Sequence, residues 1–83
     1  MNIYNNVLRN NELSPTDKLV LLSLANIANE DLASISLVEL SSMINITKPT
    51  LIKSLNLLED KGLINKYNSK KRYSKNIYKL NIN

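Results

Sequence analysis

The side chains best equipped for chemistry in this chain are hydrogen-bond donors, and they fall in two groups. The first is Thr47-Lys48-Pro49-Thr50, followed by Lys53 and Asn56. In a helix each residue advances by roughly 100°. With Leu51 as the reference, Leu55 and Leu58 then share its side, while Pro49, Lys53, Asn56 and Asp60 fall opposite. An ammonium and a carboxamide on one helix face match the edges of nucleic-acid bases. Lysine donates to guanine O6 and N7, and asparagine pairs with adenine N6 and N7. The amino end of such a helix, with Lys48 and Thr50, points amides and a charge at phosphate. The second group is Lys70-Lys71-Arg72-Tyr73-Ser74-Lys75, a basic run suited to a polyanion. Arg72 either enters a narrow A·T-rich minor groove or touches phosphate alone. Tyr73 either stacks on sugar or bonds a phosphate. For each residue in both groups, a solvated surface position is the competing explanation.

The remaining composition closes off other chemistries. The 83 residues include neither histidine nor cysteine. Disulfides, thiolate zinc sites and Cys nucleophiles are excluded, and so are the commonest metal ligand and general base. The seven carboxylates are scattered. No catalytic set is visible, so an enzyme is not expected, and no cofactor, metal site or small-molecule effector pocket can be read. No apolar run approaches the ~20 residues of a membrane span, and no signal-peptide pattern opens the chain. A cytoplasmic protein with no membrane partner is expected. Charge is divided unevenly. Residues 1–47 hold two basic and five acidic side chains, a net of −3; residues 48–83 hold nine basic and two acidic, a net of +7, together the overall +4. That split suggests one face for a polyanion, although lysine is also abundant in AT-rich coding.

The elements that must position these groups are readable from caps and periodicity. Residues 1–13 have helical spacing at Ile3, Tyr4, Val7 and Leu8 but many asparagines, so a short helix or arm is expected. Ser14-Pro15-Thr16-Asp17 is a capping-box start, and the spacing predicts a helix over 15–29 with Leu19 and Leu22 inward and Leu13 as a staple. Residues 30–33 read as a loop and 34–36 as a short bridging strand. Ser36 and Glu39 open a second helix over 37–44, which Asn45 and Ile46 close. Thr47 caps a third helix that Gly62 ends. Residues 63–67 and 77–82 read as two strands joined by the basic run into an antiparallel hairpin. Tyr67 and Tyr78 are expected to pack with solvated hydroxyls. The expected core is Leu19, Leu22, Leu40, Ile44, Leu51, Leu55, Leu58 and Leu63. Ile52 and Leu57 flank the polar side of the third helix. Packing is the expected role for both; a thymine methyl (Ile52) or a partner subunit (Leu57) is the alternative.

The stretch from Leu40 to Ile64 resembles winged-helix regulators. Thr47 matches the cap of their second motif helix, Thr50 its inner Thr, Leu58-Glu59 its end, and Gly62-Leu63-Ile64 the entry to the wing. Ser41 and Asn45 stand where Ala and Gly are usual. The stretch from Leu13 to Leu24 looks like the first helix in plasmid and phage replication initiators, and MarR-like repressors have a similar one. The resemblance implies an α+β, mostly helical winged helix-turn-helix: a three-helix core with a C-terminal hairpin wing over 14–83, preceded by an arm or short helix over 1–13. It further implies a regulator or replication-initiation factor of a mobile element bound to double-stranded DNA. A homodimer joined through residues 1–13 and the first core helix is expected. A winged helix that docks proteins is the competing function.

Overall fold

The structure, a computed structural model, describes residues 3–67 and 75–81. Four helices and three strands follow in the order α1 (Ile3–Leu8), α2 (Pro15–Ile27), β1 (Leu32–Ile35), α3 (Leu37–Ile44), α4 (Lys48–Asp60), β2 (Ile64–Tyr67) and β3 (Asn76–Leu80). The strands form one antiparallel sheet in the order β1-β3-β2. This is the winged-helix arrangement, with a short extra helix in front.

Local chemistry explains the boundaries. Ser14 accepts the Asp17 amide at 3.1 Å while the Asp17 carboxylate accepts the Ser14 amide at 3.2 Å, a complete capping box. Ser36 caps α3 with its side chain alone, accepting from Glu39 N at 3.1 Å and donating to the Glu39 carboxylate at 3.3 Å, without the return bond to its own amide. Asn45 adopts the left-handed conformation (φ 57°) that ends α3, and Ile46 N–H closes the turn onto Ser41 O at 3.1 Å. At the end of α4, Gly62 (φ 75°) donates to Glu59 O at 2.9 Å and Leu63 to Leu58 O at 3.0 Å. Those paired bonds are a Schellman closure, which turns the chain directly into β2.

The strands read at 63–67 and 77–82 are β2 and β3, shifted by a residue or two, and two boundaries near the first turn differ further from the sequence expectation. The first core helix stops at Ile27, and β1 begins at Leu32 instead of Ser34. A tight turn accounts for both. Asn29 and Leu32 exchange backbone bonds of 2.8 and 3.1 Å, with Glu30 (φ 52°) and Asp31 (φ 71°) both left-handed between them. Two positive φ values are the signature of a primed hairpin turn. Glutamate is an unusual residue for it, so the segment reads as loop.

The core holds Val7, Leu13, Val20, Leu21, Leu24, Ala33, Ile35, Leu40, Leu51, Leu55, Leu58, Ile64, Tyr78 and Leu80. The expected phase of α2 is corrected: Leu19 is 43% exposed and Leu22 only partly buried, while Val20, Leu21 and Leu24 face inward. Ser23 and Asn26 share the Leu19 stripe at positions i+4 and i+7. The apolar face must therefore lie on the other side. Ile44 and Leu63 are partly buried at the core's edge. The tyrosines separate. Tyr78 packs as expected, but its hydroxyl is buried and not solvated, accepting from Asn76 Nδ2 at 3.3 Å; Tyr67 is 56% exposed, against the packing role expected of it.

Candidate nucleic-acid interface

Three attachments set the pose of α4. Its inner face inserts Leu51, Leu55 and Leu58 into the core. On one flank the buried Ser54 hydroxyl donates to Asp17 Oδ1 at 2.5 Å, tying α4 to the amino end of α2. At the far end Glu59 Oε2 accepts the Lys66 backbone amide at 3.1 Å, tying α4 to β2. Burial pushes the Asp17 carboxyl up. The hydrogen bonds from Ser54, the Ser14 hydroxyl and the Ser14 amide outweigh it, with help from the Lys61 charge, and hold the group below the ordinary carboxylate range.

What α4 leaves outside is the face opposite its leucines. Pro49, Lys53, Asn56 and Asp60 are all exposed there, as the helical wheel predicts, and Thr50 is exposed to one side of them. Lys48 is exposed beside them at the amino end. Thr47 occupies the N-cap, with its carbonyl accepting from Leu51 N at 2.9 Å. Its hydroxyl, however, donates to Thr50 Oγ1 at 3.0 Å and makes no cap bond. The amides of the first turn of α4 thus lack the side-chain cap that serine supplies to α2 and α3. Ile52 and Leu57 depart from expectation. Neither is packed away: they are 40% and 36% exposed and flank Lys53 and Asn56 on the outward face. Their wheel angles, between the buried and polar arcs, carry the signal for this.

Lys70, Lys71, Arg72 and Tyr73 lie outside the described residues. Lys75 is exposed beside β3. Lys79, which the sequence did not single out, is exposed on the outer face of the sheet, the face that period-2 alternation with buried Tyr78 and Leu80 assigns to it, and pairs with Asn65 and Leu32. The ion pair present among the described residues joins Lys61 and Glu12 at 3.5 Å, leaving Lys48, Lys53, Lys75 and Lys79 without a described carboxylate partner. Elsewhere a cleft of about 200 Å³ is lined by four aliphatic side chains and the carboxamides of Asn6, Asn10 and Asn81, a feature with no sequence signature. No helix among the described residues is long and apolar enough to cross a membrane.

Two helices, α3 and α4, meet through a three-residue turn, with the second presenting a polar face and a β-hairpin following it. That defines a helix-turn-helix with a wing, the class of domain whose second helix enters the major groove of DNA. The sequence profile of a helix-turn-helix domain matches residues 11–64, and the chain belongs to that family. No curated protein matches the sequence. Among solved structures, the chain is similar in fold to MarR of Staphylococcus aureus, determined in complex with salicylate and kanamycin, with a TM-score of 0.65 and 24% identity. The match covers 94% of this chain and 49% of that one, so this chain spans about half the length of its neighbour.

Proposed function

We propose that this protein binds double-stranded DNA sequence-specifically, as a transcriptional regulator or a replication-initiation factor of a plasmid, phage or virus, and has no enzymatic activity. The observation that carries the reading is the outward face of α4: exposed Lys53 and Asn56 behind an amino end whose first-turn amides no side chain caps. In this docking, α4 enters the major groove. Thr47, Lys48, Pro49 and Thr50 approach the backbone, Lys53 donates to guanine, and Asn56 pairs with adenine. Lys70, Lys71, Arg72, Tyr73 and Lys75 lie on the backbone or in the minor groove. Two copies bind together in the cytoplasm through α1 and α2, where Leu8 and Leu19 are exposed.

A second reading, a winged helix that docks another protein, is favoured by Leu32, Tyr67 and Ile77, all exposed on strands of one sheet. Binding measured against salt separates the two. Lys53→Ala or Asn56→Ala should weaken the preferred duplex by ~1–3 kcal/mol and random duplex less. Replacing Lys70, Lys71 and Arg72 together should weaken all duplexes and flatten the log–log salt slope by about 0.9 per residue, roughly 2.7 in all. An unchanged slope with normal binding by the helix variants would favour protein docking. Sedimentation showing only monomer, free and on DNA, would remove the dimer.

A further inference from the structure

Ile52 and Asn56 lie one turn apart on the same edge of α4, and both are exposed. We infer that this edge reads A·T pairs: Asn56 bonds an adenine, and Ile52 packs on the 5-methyl group of a thymine beside it. The inference rests on the proposed docking of α4 in the major groove and names what that face selects.

Scattered exposed aliphatics are ordinary on protein surfaces, so the weight comes from the setting. Ile52 is 40% exposed on a helix that buries Leu51, Leu55 and Leu58 almost completely on its other side. An isoleucine outside the core contributes little burial and is a poorer helix former than leucine or lysine. Its β-branch fixes χ1, so little rotamer freedom is lost when its methyl groups meet a flat surface. The neighbouring groups weight the face the same way. α4 contains no arginine, the side chain whose fork reads guanine bidentately. Its carboxylates come only at Glu59 and Asp60, at the carboxyl end, and Glu59 is taken by the Lys66 amide. No carboxylate, the usual acceptor for cytosine N4, therefore stands in the first turns. Lys53 is the charged guanine donor at the middle of the outward strip.

Spacing fits as well. Four residues along a helix advance about 6 Å, one to two steps of a duplex that rises ~3.4 Å per base pair. The thymine methyl projects into the major groove, the groove that an α-helix fits.

The test uses the duplex recovered by selection from a random pool. Each thymine in it is replaced in turn by deoxyuridine, which keeps every hydrogen-bonding group and loses only the methyl. At one position, wild-type protein should bind about fourfold more weakly, the fold-change for one buried methyl-sized group. Ile52→Ala should bind the thymine and uracil duplexes equally, with its melting temperature unchanged. Asn56→Ala should lose its preference for adenine one or two pairs away. If wild type binds the selected duplex but no uracil substitution matters, or if Ile52→Ala keeps the methyl effect, the inference is overturned while DNA binding stands. If no duplex is enriched, the proposed function fails and the inference with it.

Discussion

Leu55 and Leu19 are the same side chain in opposite circumstances. Leu55 is 1% exposed between α4 and the core, and Leu19 looks out from α2. Leu55→Ala should destabilise the protein by ~2–5 kcal/mol, since it removes buried methylenes and leaves a cavity. Leu19→Ala should change stability by no more than about 0.5 kcal/mol, as surface substitutions usually do. Chemical denaturation of both variants checks the contrast; equal losses would mean that α2 is rotated from the orientation described. The pair also shows where residue-scale reading works. On α4 the polar residues Lys53, Asn56 and Asp60 mark the outside, so Leu51, Leu55 and Leu58 could be placed inside correctly. On α2 the run Leu19-Val20-Leu21-Leu22 offers apolar side chains to every direction. Only Ser23 and Asn26 identify the exposed stripe, two weak markers against four apolar side chains. Ile52 misleads for a related reason: apolar character argues for burial when nothing else does, yet here the backbone turns it outward.

Between elements, the join of α2 to α4 runs through one carboxylate. Asp17 completes the α2 capping box and accepts the buried hydroxyl of Ser54. Its folded-state pKa lies below the ordinary value. The unfolded chain therefore takes up this proton first as pH falls. The stability that Asp17 contributes is complete above about pH 4 and is lost as pH drops through the folded value. Asp17→Asn should be less stable than wild type by ~1–2 kcal/mol at pH 7, and the difference should shrink toward pH 2. Urea melts at the two pH values measure this; a constant gap would show that the charge is irrelevant to the join. Element boundaries were legible wherever a cap announces them. α3 spans 37–44 as expected, because Ser36 and Asn45 are explicit start and stop signals. The start of β1 was not legible, because its turn relies on Glu30 and Asp31 in conformations that their side chains do not advertise. The Ser54–Asp17 contact spans 37 positions, and no local pattern reports it.

Across the whole molecule the two halves of the charge distribution fall on different elements. The acidic half builds α1 to α3, and the basic half builds α4 and the hairpin. This large-scale division was visible in the sequence without any knowledge of the fold. The sheet order was not: two strands around a polar loop predict a hairpin, but not which of them also receives β1. In the structure that strand is β3, which lies between β1 and β2 and carries the buried Tyr78 and Leu80. Its central place has a consequence for how the protein comes into being. A ribosome releases Leu32–Ile35 and Ile64–Tyr67 before the one segment able to join them, and at ~5–20 residues per second the earlier strand waits seconds for its partner. Helices can form in that interval; the sheet cannot. Stalled chains ending before Asn76 should therefore be cut freely by protease, whereas chains stalled with Leu80 outside the tunnel should resist. Protection gained earlier would mean that the helices fold without the sheet. Because β1 must wait for residues more than forty positions later, completion of the fold should be slow for so small and helical a domain. In a cell, the rate of translation, more than the speed of the helices, would set when the finished protein first appears.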